Sequence, residues 1–272
     1  MKKLRIGIVG CGAIGSSLAK EIVTNLRSSA CLAGLYDIKT DKAQLLSGKL
    51  TKSSKLSVDN LDILIRKSDL VIEASSAKAS WEIARKSLSG GRKVMIMSVG
   101  GVVGHAKELF SLAAKNKTQV YFPSGAISGV DALKAANIAG VKKVVLTTRK
   151  NPKAFKGVEY VEKNFNLAEL KKDKVLFSGK AALAVKYFPQ NINVAAVLGL
   201  AGIGMHKTLV RIIASPSTNK NIHEVLIESK AANIFTRTEN VLHPQNPKTS
   251  YLAVLSAIAT LKQILQPVKI GT

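Results

Sequence analysis

Two groups of residues in this chain have the types and spacing needed for chemistry. The first is Gly10-Cys11-Gly12-Ala13-Ile14-Gly15, a GxGxxG run. Glycines at its first, third and sixth positions let a chain turn sharply, let backbone approach a pyrophosphate, and let the next helix pack closely on the preceding strand. The N–H groups that open such a helix face the anion. Gly10, Gly12, Ala13, Ile14 and Gly15 are therefore candidate cofactor contacts, and Cys11 reads as small filler. The second group surrounds His223, in Asn221-Ile222-His223-Glu224-Val225. An imidazole titrates near neutrality and can take up and return a proton in turnover; a satisfied structural histidine is the alternative. His105 and His206 lie in or beside apolar helical pattern, and His243 precedes a proline. No Ser–His–acid or Cys–His arrangement is recognisable, and no ligand set has metal spacing, so no metal is expected.

The elements around the glycine run decide how to read it. Ile6 to Val9 is a short apolar strand, and an amphipathic stretch to Ile22 follows the loop. That strand–turn–helix context favours a nucleotide site over a merely tight βα turn. Cys31 to Asp37 reads as a second strand, with Asp37 22 positions after Gly15. A carboxylate there binds the ribose hydroxyls of NAD and repels the extra phosphate of NADP. Lys39 and Lys42 soften that preference, and a turn or N-cap aspartate is the alternative use. Strands at Leu70–Ala74, Lys93–Val99 and Gln119–Pro123 alternate with helical stretches at Ala79–Leu88 and His105–Phe110. This order predicts a parallel sheet with crossover helices, a Rossmann-type domain over residues 1–123.

From Ser124 the pattern changes. Ser124-Gly125-Ala126-Ile127-Ser128-Gly129 is a small-residue turn feeding a helix to about Ala136. A β-branched alternation, Val144 to Lys150, and strand-like segments at Val175–Phe177, Leu209–Ala214 and His223–Glu228 accompany helices at Ala181–Phe188 and from Asn193. Residues 124–245 thus read as an α+β domain with an antiparallel sheet. Thr236 to Pro247 reads as a loop, and Thr249 to Leu265 as one helix. That helix, within residues 246–272, is expected to return to the first domain.

Composition sets outer bounds. With 272 residues and 46% hydrophobic content the chain can bury a substantial core. No apolar run reaches a membrane span, and the basic start MKKLRIGIVG breaks into glycines without a cleavage pattern, so a cytoplasmic protein without membrane contact is expected. Two cysteines make no disulfide framework. The net charge of +24 raises a nucleic-acid partner, or a nucleotide-sensing DNA-binding regulator. The basic residues are scattered rather than striped, aromatics are few and no helix-turn-helix is visible, so no nucleic-acid partner is expected.

At its most specific stretches the chain resembles a known family. Phe188-Pro189-Gln190-Asn191-Ile192-Asn193-Val194, Gly199-Leu200-Ala201-Gly202, Asn221-Ile222-His223-Glu224-Val225 and Asn246-Pro247-Lys248-Thr249-Ser250 look like the L-aspartate dehydrogenases; Pro123 to Gly129 and the glycine loop match in the same order. The likeness covers nearly the whole chain; the length between Lys150 and Leu176 and the basicity are peculiar to this sequence. It implies a homodimeric NAD(P)-dependent enzyme that deaminates L-aspartate oxidatively to iminoaspartate, which hydrolyses to oxaloacetate and ammonia or feeds NAD biosynthesis. His223 then matches the catalytic histidine, Ala126 and Asn193 match cofactor-contacting positions near the nicotinamide, and Asn191 is a substrate candidate. A dicarboxylate also needs cations or donors, for which Lys248, Thr249 and Ser250 are candidates; a helix cap after proline is their alternative use. Dihydrodipicolinate reductase and homoserine dehydrogenase share this build, but the Asn/His block speaks against both.

Overall fold

The computed structural model describes residues 2–271 except Lys52, Ser54, Pro189, Gln190, Asn191 and Gln245, and for Pro247 and Lys248 it describes the backbone alone. The chain divides into two compact units, residues 1–123 with 254–270, and residues 124–253.

In the first unit the order is β1 (Leu4–Val9), α1 (Ala13–Thr24), β2 (Ala30–Tyr36), α2 (Thr40–Thr51), α3 (Leu61–Lys67), β3 (Leu70–Glu73), α4 (Ala77–Ser89), β4 (Lys93–Ile96), α5 (Ala106–Lys115) and β5 (Val120–Tyr121). The strands form one parallel sheet, β2-β1-β3-β4-β5. Parallel strands are covered on both faces, which is why β1, β3 and β4 read as unbroken apolar runs: Ile6, Ile8, Leu70, Ile72 and Met95 are all fully buried. Their C-terminal ends share one edge, where open α/β sheets bind ligands. The segment between β2 and β3 carries α2 and α3. The latter starts at Asn60, whose side chain accepts from the N–H groups of Asp62 and Ile63 at 2.7 and 3.4 Å. His105 sits in a 3₁₀ turn, and α5 begins one residue later.

The second unit holds α6 (Val130–Ala139), β6 (Val141–Lys150), α7 (Glu159–Asn164), β7 (Lys174–Lys180), α8 (Ala181–Tyr187), α9 (Asn193–Ala201), β8 (Leu209–Ala214), β9 (Asn221–Ser229), β10 (Asn233–Asn240), β11 (Leu242–His243) and β12 (Asn246–Ser250). Its main sheet runs β10-β9-β6-β8-β7. It is mixed rather than wholly antiparallel, because β6 and β8 lie parallel while the other neighbours oppose. One face is packed: Val144, Leu146, Val210, Ile212, Val225 and Ile227 share a core with Leu133 of α6, Ala184 of α8 and Leu198 of α9. The segment after Lys150 is anchored to that core by Phe155, which is 6.5 Å from Phe188 edge to face, and by Tyr160, stacked 4.6 Å from Tyr187.

Two expectations fail in this region. Residues 236–240 are not part of a loop: Asn233 to Asn240 alternates in exposure along β10 and pairs residue by residue with β9. Thr249 and Ser250 do not open a helix either. They end β12, whose Ser250 pairs with Leu242 of β11, and α10 (Tyr251–Leu265) begins one residue on. Pro244 and Pro247 signal a two-stranded hairpin, where an edge strand tolerates proline. From Val254 on, α10 belongs to the first unit: Ala257 and Leu261 are fully buried in the core of Ile6, Leu18 and Ile22, and Lys262 pairs with Glu21 at 3.2 Å.

Candidate active site

Backbone geometry builds the loop of the first unit. Gly10 has φ +97°, and a Cβ there would stand 2.4 Å from the Ala74 carbonyl oxygen. At Gly15 a Cβ would meet the Gly10 carbonyl at 1.9 Å, so α1 packs on the loop only through glycine. Gly12 differs: nothing lies within 4 Å of where its Cβ would be. It is also the N-cap of α1 and offers no side-chain cap to Ala13, Ile14 and Gly15 behind it. A helix N-terminus with open space before it and no cap of its own fits a dinucleotide pyrophosphate.

Asp37, at the end of β2, is tied to this loop. One carboxylate oxygen accepts the Cys11 N–H at 2.8 Å, and the other accepts the Lys39 N–H at 2.9 Å. The turn use and the ribose use of Asp37 are compatible, because each carboxylate oxygen keeps a further lone pair. The Cys11 thiol, held up at about 12 chiefly by burial, is inert filler. A residue absent from the sequence reading braces the same edge. Glu73, fully buried at the end of β3, accepts from the Ser75 N–H and hydroxyl at 2.8 Å each and from the Ser98 N–H at 2.9 Å. Burial holds its carboxyl above the ordinary range, and these bonds partly offset it. Glu73 thereby joins the ends of β3 and β4 beside the glycine loop.

In the second unit, one face of the sheet turns from apolar to polar towards one end. Thr148 and His223 are directly opposed in the β6–β9 register, and Thr148 Oγ1 lies 3.0 Å from His223 Nδ1. On the other side of β9, Asn221 pairs with Asn240. The Asn240 amide donates to the carbonyls of both Ala126 and Asn221, at 3.0 and 3.1 Å. The Asn221 amide donates to Ser250 Oγ at 3.1 Å. Asn240 Oδ1 is buried and has no hydrogen-bond partner among the described residues, a buried acceptor left over. The imidazole of His223 is held down to about 3, first by burial and then by the charge of Lys150, itself lowered to about 8 by burial.

Of the expected site residues, Ala126 and Ser250 are joined through Asn240 and Asn221, His223 lies two positions along β9 from Asn221 and bonds Thr148 instead, and Asn193 opens α9. Thr249 accepts from the Asn246 amide at 3.1 Å and takes no part in the network. Asn191 and the side chain of Lys248 fall outside the described residues. Thr148, Lys150 and Asn240 escape the sequence reading. A signal exists for the first two: the alternation Val144, Leu146, Thr148, Lys150 places a lysine at an inward position.

Two family models match the chain, one on each side of residue 124, the second also taking in nearly all of α10. Residues 10–123 fit the family model described as "Homoserine dehydrogenase, NAD binding domain", and residues 131–264 fit "Aspartate dehydrogenase, C-terminal". The first unit is therefore an NAD(P)-binding domain, and the chain falls in the class of two-domain NAD(P)-dependent oxidoreductases. L-aspartate dehydrogenases of Methanosarcina acetivorans and Methanocaldococcus jannaschii are 46% and 38% identical to it, each alignment covering 99% of this chain and 100% of the relative. The aspartate dehydrogenase crystal structure from Thermotoga maritima superposes with TM-score 0.74 at 27% identity, covering 99% of this chain and 100% of that one. A hyperthermophilic archaeal homoserine dehydrogenase, solved with NADPH, shares the fold at TM-score 0.58 and 15% identity over 96% of this chain and 98% of that one. The chain belongs to the L-aspartate dehydrogenase family.

Proposed function

We propose that this enzyme deaminates L-aspartate oxidatively to iminoaspartate, with NAD as the preferred cofactor and NADP accepted. Iminoaspartate then feeds NAD formation or hydrolyses to oxaloacetate and ammonia. The bound nicotinamide supplies the hydride acceptor. The glycine loop from Gly10 to Gly15 holds the pyrophosphate, Asp37 takes the ribose hydroxyls, and Ala126 and Asn193 serve the nicotinamide end. His223 manages the proton of the amine or of the attacking water. With its proton on Nδ1, donated to Thr148 Oγ1, the ring offers Nε2 as base. Asn191, Lys248, Thr249 and Ser250 remain the substrate contacts this reading carries forward, and Ser250 has the strongest support through its bond to Asn221. The enzyme works as a cytoplasmic homodimer. Phe235, 63% exposed on β10 beside the charged Arg237 and Glu239, offers a single apolar anchor for a second copy. No helix among the described residues is long and apolar enough to cross a membrane.

One observation carries the reading: a buried histidine with a fixed ring, at the polar end of a sheet face, in a chain with a dinucleotide loop. In the test, NADH is titrated by fluorescence and turnover is followed with L-aspartate and NAD. His223→Ala should lower kcat by roughly 10²–10⁴-fold while NADH still binds. Undiminished turnover in that variant removes His223 from the chemistry. A wild-type protein that binds NADH but never turns over aspartate overturns the substrate.

A further inference from the structure

The inner face of β6 reads Val144, Leu146, Thr148, Lys150, with relative exposures of 0, 1, 2 and 7%. A lysine is among the residue types least often buried, and an ammonium taken out of water is kept only in a polar, hydrogen-bonded setting. Its position is set by pairing. Thr148 lies opposite His223 and Arg149 opposite Ile222, so Lys150 follows at the level of Asn221, on the face it shares with His223. On its other side Lys150 pairs with Ala214, and its carbonyl accepts the N–H of the buried Ser215 at 2.8 Å. The ammonium's charge is felt at the His223 ring.

We propose that Lys150 is the cation that receives a carboxylate of the substrate beside His223. The proposal rests on reading the His223 end of this sheet as the substrate site. A dicarboxylate brings two negative charges into a buried setting, where a charged, hydrogen-bonded partner is needed. Ser250 answers that need only in part, being neutral and already the acceptor of the Asn221 amide. Lys150 has the right charge, on the right face, one register step from the base. The arrangement also couples binding to chemistry. Burial and the ammonium together depress the imidazole, and a carboxylate seated on Lys150 cancels the second contribution. His223 therefore becomes a stronger base when substrate arrives, with no movement of the backbone.

The test measures binding apart from turnover. Succinate and butyrate, four-carbon acids with two carboxylates and one, are titrated calorimetrically into the NAD-loaded protein. Wild type should prefer succinate. In Lys150→Gln the succinate affinity should fall by at least about 30-fold, the loss associated with truncating one partner of a buried charge pair, while butyrate changes little. Lys150→Arg should recover part of it. The KM for aspartate should follow succinate, with a smaller change in kcat, and NADH affinity should stay at the wild-type value. Equal succinate affinity in wild type and Lys150→Gln overturns the proposal. Equal affinity of wild type for the two acids overturns it even where the variant does not fold. If His223→Ala keeps full turnover, the site reading itself fails; if it is inactive while Lys150→Gln binds succinate normally, only the lysine is misassigned.

Discussion

The glycine loop of the first unit and the polar sheet end of the second solve different problems with different materials. The loop uses backbone: its residues lie within six positions, and its key property is the absence of side chains at Gly10, Gly12 and Gly15. The sheet end uses side chains from separate strands: Thr148 from β6, Asn221 and His223 from β9, Asn240 from β10 and Ser250 from β12. A pyrophosphate is common to every dinucleotide and needs only N–H groups and room. A particular amino acid must be chosen by charge and shape, and a proton must be moved, and both tasks need functional groups held by neighbours. On the proposed function, affinity for the shared cofactor is local in sequence and selection of the reaction is distributed.

The largest effect that could break this contrast lies within the loop. At Gly10 the positive φ and the Ala74 carbonyl 2.4 Å from the missing Cβ make Gly10→Ala a backbone problem, costing on the order of 2–4 kcal/mol and the NADH affinity with it. Gly12→Ala meets open space. Its melting temperature should match wild type while NADH affinity falls at least tenfold, because the new methyl occupies the approach of the pyrophosphate. Thermal unfolding beside NADH fluorescence titration reads both. Normal NADH binding by Gly12→Ala would mean that the space in front of α1 is not the cofactor's.

The second unit yields a smaller but equally specific effect at Asn240. Its Nδ2 group serves two buried carbonyls, Ala126 and Asn221, and a leucine would leave both without that donor. The expected loss is about 2–3 kcal/mol, measured by urea unfolding. Since the Ala126 carbonyl loses its anchor, the KM for NAD should rise more than the KM for aspartate. An unchanged KM for NAD with the full stability loss would reduce Asn240 to a packing residue.

How much of this was legible in the sequence follows from the same contrast. β1, the loop and α1 could be read because every partner is a near neighbour, and Asp37 could be placed by its distance from Gly15. The polar contacts of the sheet end could not, because their bonds join residues 75 and 114 positions apart, Thr148 to His223 and Ala126 to Asn240. β10 was hidden by its own surface: Phe235, Arg237 and Glu239 face solvent, so its alternation resembles a polar loop. Thr249 and Ser250 sit before a strongly apolar helix and look like its cap, yet pairing of Ser250 with Leu242 extends the strand to the last residue before the helix. Local patterns reported elements; only pairing reported which side chains meet.

The smallest expected effect distinguishes the two units by the sign of their response to acid. His223 is held neutral in the fold, at about 3 against 6.5, so the unfolded chain binds more protons in that range. Stability through this group is therefore complete above pH 6.5 and is lost as pH falls below it, at a slope approaching about 1.4 kcal/mol per pH unit. Glu73 does the reverse. Its folded carboxyl sits above 4.5, so the fold binds more protons than the unfolded chain, and the contribution is lost as pH rises through the raised value. Asp69, paired with Arg5 at 2.7 Å and lowered to about 2, titrates below this window and does not confuse it. Urea unfolding from pH 4.5 to 7 should thus show opposite changes of slope. His223→Asn should flatten the rise of stability with pH, and Glu73→Gln should steepen it. Parallel slopes in wild type and His223→Asn would mean the imidazole is charged in the fold, and the buried neutral base proposed for the reaction would be lost with it.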